Sequence, residues 1–148
     1  MSNPFSKIIS IPVDTATAVG KPVLSGGADL AKQLTALVGG AGAGRYAAFI
    51  SYSHADMKVA RWLHRAIENY RVPKALVGTG GDRGPIPARL RPIFRDEDEL
   101  AGAAELGPKL LGALARSDAL IVICSPIAAR SVWVDKEIRS FKTINPDA

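Results

Sequence analysis

Ser131–Phe141, SVWVDKEIRSF, sets an aromatic ring and a carboxylate, Trp133 and Glu137, four residues apart. On a helix that spacing puts both on one face. A carboxylate beside an aromatic wall, partly shielded from water, can stabilise the positive charge that develops on a sugar ring when a glycosidic bond breaks. The ordinary alternative is a solvated charge, because Glu137 neighbours Lys136 and Arg139 and exposed helix pairs of that kind are common. Other groups are also able to do chemistry. Tyr52, Ser53 and His54 follow an apolar run, although Ser53 or His54 would equally serve to cap the next helix. His54 has no Cys or Ser partner at the spacing of a hydrolase triad. Asp96 opens the run DEDE. Four acids could attract a divalent cation, but no phosphate loop accompanies them, so solvation is the plainer reading and no metal site is expected. Asp96 directly follows a strand candidate and is the acid of that run best placed to face a ligand. Cys124 is the single cysteine, which excludes a disulfide framework and a cysteine zinc site. Its place within an apolar run predicts an inert core residue.

These residues need elements to position them. RYAAFISYS predicts a short buried strand, and Val59, Trp62, Leu63, Ala66, Ile67 and Tyr70 trace one stripe of a following helix. RVPKALVGTGGDRGPIPARLR is rich in Gly and Pro and reads as a long surface loop. PIFR is a second strand, and DEDELAGAAELG an acidic connection. PKLLGALARSD is a helix with Pro108 in its first turn and Leu110, Leu111 and Leu114 inward. ALIVICS, apolar and β-branched throughout, predicts a central strand buried on both faces. Ser131 is the expected N-cap of the helix that carries Trp133 and Glu137. On that helix Val134, Ile138 and Phe141 form the apolar stripe, which leaves the Trp133/Glu137 face to line a site. The order β-α-β-α-β-α implies a parallel sheet with helices on both faces. In such sheets ligands bind beyond the carboxyl ends of the strands, where Tyr52–His54, Asp96 and Ser125 fall.

Residues 1–44 differ in kind, with Gly, Ala, Ser and Thr prominent and GGAGAG at the end. They read as a flexible arm and linker, with one short helix expected over Ala28–Val38 that could serve docking. The glycines precede the first strand, so they are not a dinucleotide loop. Hydrophobic content of 47% and charged content of 22% fit a soluble globular protein. A net charge of +5 is modest, and no basic run is interleaved with stacking aromatics, so nucleic-acid binding is not expected. No apolar stretch approaches the roughly 18 residues that span a bilayer, and no signal peptide is evident. A cytoplasmic protein without membrane attachment is expected.

FISYSHAD, FRDEDEL, ALIVICSP and SVWVDKEI, in that order on those elements, resemble a bacterial TIR (Toll/interleukin-1 receptor) domain over Tyr46 to the C-terminus. The resemblance implies a flavodoxin-like α/β fold over residues 45–148, with five parallel strands in the family and about three supplied here. The final strands are therefore expected to be missing, which would leave the ALIVICS edge bare and prone to association. It also implies one of two functions. Enzymatic members cleave NAD at the nicotinamide–ribose bond when TIR domains assemble. For them the resemblance makes Glu137 the catalytic carboxylate and Tyr52, Ser53, His54, Asp96 and Trp133 the substrate-binding residues. NAD is then a substrate, and no cofactor is needed. Other members are non-enzymatic adaptors that pair TIR with TIR. In either case the partners are other TIR domains. A phosphoacceptor domain of the same fold would need an Asp where ALIVICSP has Ser125.

Overall fold

The computed structural model describes residues 7–13, 45–81, 84–95 and 107–146. In chain order the elements are β1 (Lys7–Pro12), β2 (Ala48–Ser51), α1 (Met57–Asn69), β3 (Gly80–Gly81), β4 (Gly84–Pro85), β5 (Ile93–Arg95), α2 (Pro108–Ala115), β6 (Ala119–Cys124) and α3 (Val132–Ile144). A four-stranded sheet runs β1-β6-β2-β5, and every neighbouring pair in it is parallel. This is the expected α/β fold with flanking helices. The three strands predicted from apolar runs are present and parallel; PIFR and ALIVICS each lose one residue, and RYAAFISYS shortens to Ala48–Ser51.

Alternation along the strands sorts the core into two layers. Ala48 and Ile50 of β2, Ile93 of β5, and Ala119, Ile121 and Ile123 of β6 pack with Ala60, Leu63 and Ile67 of α1. The next residues along, Phe49, Phe94, Leu120 and Val122, point the other way and pack with Leu114 of α2 and Val134 and Phe141 of α3. β6 carries both sets. Its residues Ala119–Ile123 are buried, which is why its sequence is a continuous apolar run rather than an alternating one.

One edge of the sheet differs from expectation. Lys7–Pro12, assigned above to the arm, forms a strand in register with β6 from Lys7↔Ala119 to Pro12↔Cys124. The edge of β6 expected to be bare is therefore covered, and Ile8, Ile9 and Ile11 join the two core layers. Pro12 ends the strand, where its missing N–H removes little from the ladder. The helix expected over residues 28–38 lies outside the described residues. The Gly/Pro-rich loop also holds a small hairpin, β3 against β4, with Gly84 at a φ of +112° that favours glycine.

At the amino ends of the strands, Arg45 Nη2 meets Asp118 Oδ1 at 3.0 Å. Glu68 of α1 accepts from the backbone N–H of Ile93 at 3.0 Å, which pins α1 to the start of β5. These contacts hold the end of the sheet away from the candidate site. Among the described residues no helix is long and apolar enough to cross a membrane.

Candidate active site

β2 lies between β6 and β5, and all four of its residues are buried. Its period of two sends Phe49 and Ser51 toward the layer of α2 and α3, and Ile50 and Tyr52 toward α1. A serine ending such a strand needs a hydrogen-bond partner, because a buried hydroxyl without one is costly. The partner is Glu137. Ser51 Oγ donates to Glu137 Oε2 at 2.5 Å, with the two residues 1% and 7% exposed.

α3 presents that carboxylate from its second turn. Ser131 caps the helix as expected, accepting from the Val134 N–H at 3.3 Å. The amino end of the helix carries partial positive charge, which favours an anion in the first turns. The inner face of α3 differs from the expected one. Glu137 is buried together with Val134 and Phe141, at the i, i+3, i+7 positions of the packed stripe, whereas Ile138 is half-buried at its margin. Glu137 is thus not the solvated helix charge that its neighbours suggested. Trp133, four residues earlier, is half-buried against the same layer, with Lys136 Nζ 5.0 Å from its ring centroid. A carboxylate taken out of water and fixed by a neutral hydroxyl is a strong local source of negative potential.

The other predicted residues are placed as follows. Tyr52 packs on the α1 side, and its hydroxyl accepts from Arg95 Nη1 at 3.4 Å. Ser53 is buried and donates to Asp56 Oδ2 at 2.6 Å. His54 opens a short 3-10 turn, His54–Asp56, and is exposed. Asp96 lies outside the described residues. Cys124, expected in the core, is exposed, because it is the last residue of β6 and its Sγ sits 3.6 Å from the Val122 carbonyl oxygen. Two functional candidates were not singled out from sequence. Ser51 was hidden inside the strand motif, although its place two residues after Phe49 would have revealed the face it shares. Asp56 had no local signal.

The family model for the TIR-like domain of Thoeris protein ThsB matches residues 49–146, which include both β2 and α3. The chain belongs to this TIR-like family. A curated protein, NAD(+) hydrolase ApTIR of Actinoplanes sp., is 35% identical over 99 residues. The match covers 64% of this chain and 12% of that protein's length. No solved structure matches the chain. Within a TIR-like domain, the Ser51–Glu137 pair sits where α/β folds of this kind bind ligands, at the carboxyl ends of the parallel strands. A separate open hollow of about 450 Å³ lies on the outer side of α1, lined by Lys58, Arg61, Trp62, Arg65, Ala66 and Asn69. Lys58, Arg61 and Arg65 give this hollow a cationic rim.

Proposed function

We propose that this TIR-like domain cleaves NAD at the nicotinamide–ribose bond when TIR domains assemble, as an enzyme of immune, anti-phage signalling in the cytoplasm. The observation that carries the reading is the buried Glu137 carboxylate, fixed by Ser51 at the carboxyl edge of the sheet. The name of the curated relative, an NAD(+) hydrolase, supports NAD as the substrate. In the reaction the bond from ribose C1′ to the pyridinium nitrogen breaks, and its electron pair leaves with the ring. Nicotinamide departs neutral, so no general acid is required at that nitrogen. Glu137 stabilises the positive charge left on the ribose and accepts a hydrogen bond from a ribose hydroxyl. Water then adds at C1′ and releases a proton, or an intramolecular nucleophile closes a cyclic product. No cofactor or metal enters these steps. On this reading Trp133 supplies an aromatic wall and His54, exposed after β2, a polar contact, while Tyr52 and Asp96 are the further substrate contacts that the TIR resemblance implies. Ser53 is the remaining substrate contact that the resemblance implies.

A second reading, a non-enzymatic TIR–TIR module, is favoured by the hollow on α1, where Lys58, Arg61 and Arg65 surround Trp62. Arg and Trp are enriched where proteins meet. The two are separated by incubating the protein with NAD on a surface that crowds it, and following nicotinamide by chromatography. Release of nicotinamide by the wild type supports the enzyme. Pairing with other TIR domains and no release supports the module.

A further inference from the structure

Asp56 is a residue that the proposed chemistry does not use. It is 9% exposed, and one of its oxygens, Oδ2, accepts two hydroxyls, Ser53 Oγ at 2.6 Å and Ser125 Oγ at 2.6 Å. Ser53 follows β2, whereas Ser125 follows β6, so one carboxylate joins the two loops that leave neighbouring strands. Ser125 Oγ in turn accepts from the Ala128 N–H at 3.0 Å. That N–H begins the short 3-10 turn Ala128–Arg130, and the turn leads directly into Ser131, the cap of α3. The Asp56 N–H donates back to the Ser53 carbonyl at 2.8 Å, which closes the other loop. Hydrogen bonds to a charged acceptor are about twice as strong as neutral ones. All three side chains are buried, so water does not compete for them.

We propose that Asp56 is a positioning residue: it clamps the loop after β2 to the loop after β6 and thereby sets α3, and with it Glu137, against Ser51 and the His54 turn. The clamp lies at the carboxyl edge of the sheet, on the side where an NAD-sized ligand is expected, and does not itself touch the reacting bond. The inference rests on the enzyme reading for its catalytic consequence but not for its structural one.

The experiment therefore has two parts. Asp56→Asn keeps the shape and weakens both bonds, whereas Ser125→Ala cuts only the arm toward α3 and leaves the Ser53 bond in place. Amide hydrogen exchange on the full chain is read first. The clamp predicts that both variants speed exchange in residues 125–131, by roughly tenfold for Ser125→Ala, while exchange in β2 and β6 is unchanged. Unaltered exchange in 125–131 for both variants overturns the clamp, whether or not the wild type has activity. Nicotinamide release is read second. A displaced catalytic group costs rate rather than affinity. Both variants should lower kcat by about ten- to a hundredfold with KM within about twofold, and neither should lower it further when Glu137 is already Gln. A kcat per folded molecule equal to wild type, or a further loss in the Glu137→Gln background, overturns the positioning role. Should the wild type release no nicotinamide, the enzyme reading fails by itself and the exchange result alone decides the clamp.

Discussion

Ser51→Ala removes a single hydroxyl from the interior and is the sharpest probe of the buried pair. The bond it breaks is short, 2.5 Å, and both partners are buried. A hydrogen bond to a charged group contributes about 1.5–3 kcal/mol, against about 0.5–1.5 for a neutral pair. The variant also leaves a buried carboxylate with one donor fewer, which adds a desolvation cost. A loss of about 2 kcal/mol in unfolding free energy is expected, equivalent to roughly 10 °C in melting temperature for a domain of this size. The same substitution in a Glu137→Gln background breaks only a neutral bond and should cost about 1 kcal/mol. The coupling between the two positions is then about 1 kcal/mol. Urea unfolding followed by circular dichroism and by the fluorescence of Trp62 and Trp133 measures all four corners of the cycle. Should Ser51→Ala cost less than about 0.5 kcal/mol, the level of an ordinary surface change, or cost the same in both backgrounds, the charged buried pair is refuted.

Other consequences follow from the packing. Phe141→Ala empties a fully buried position under β6 and should cost about 3–5 kcal/mol in the same unfolding assay. Deleting residues 1–13 removes β1 and bares the edge of β6, so size-exclusion chromatography should show stronger association than for the full chain at equal concentration. Arg45→Ala leaves Asp118, 1% exposed, without its guanidinium. Because Arg45 itself is partly exposed, the loss is discounted from the buried-pair range to about 1–2 kcal/mol. Asp135 raises the ionisation of Arg139 above its ordinary value, through its hydrogen bond first and its charge second. A raised cationic group loses its contribution only as pH climbs through the raised value, so the small difference in melting temperature between wild type and Asp135→Asn should stay constant from neutral to mildly alkaline buffer.

The parts of this molecule that sequence makes legible are those governed by local pattern. β6 declares itself because burial on both faces demands an unbroken apolar run, and Ser131 because a helix start leaves donors that a hydroxyl can satisfy. Glu137 was singled out by its spacing from Trp133 and by the TIR resemblance, but the face it occupies was misjudged. Its flanking charges, Lys136 and Arg139, suggest a solvated face, and a buried acid on an apolar stripe becomes visible only with Ser51 opposite it. Lys7–Pro12 escapes local pattern for a related reason. A six-residue strand interrupted by Ser10 and ending in Pro12 carries little signal alone, and its pairing with β6 spans more than a hundred residues of chain. Asp56 is the extreme case, because nothing in HADMK announces that its carboxylate reaches a serine 69 residues away. Long-range hydrogen bonds of this type have no period and leave no mark on local composition.

The central claim is that the Glu137 carboxylate cleaves NAD, and the most direct test compares nicotinamide release by wild type and Glu137→Gln, crowded on a surface at equal folded concentration. Gln keeps the size of Glu and one acceptor oxygen for Ser51, and removes the charge. The account predicts that wild type releases nicotinamide and that the variant is slower by on the order of 10²-fold or more, with its fold intact by circular dichroism. Equal rates in the two proteins, or no release by the wild type, would contradict it.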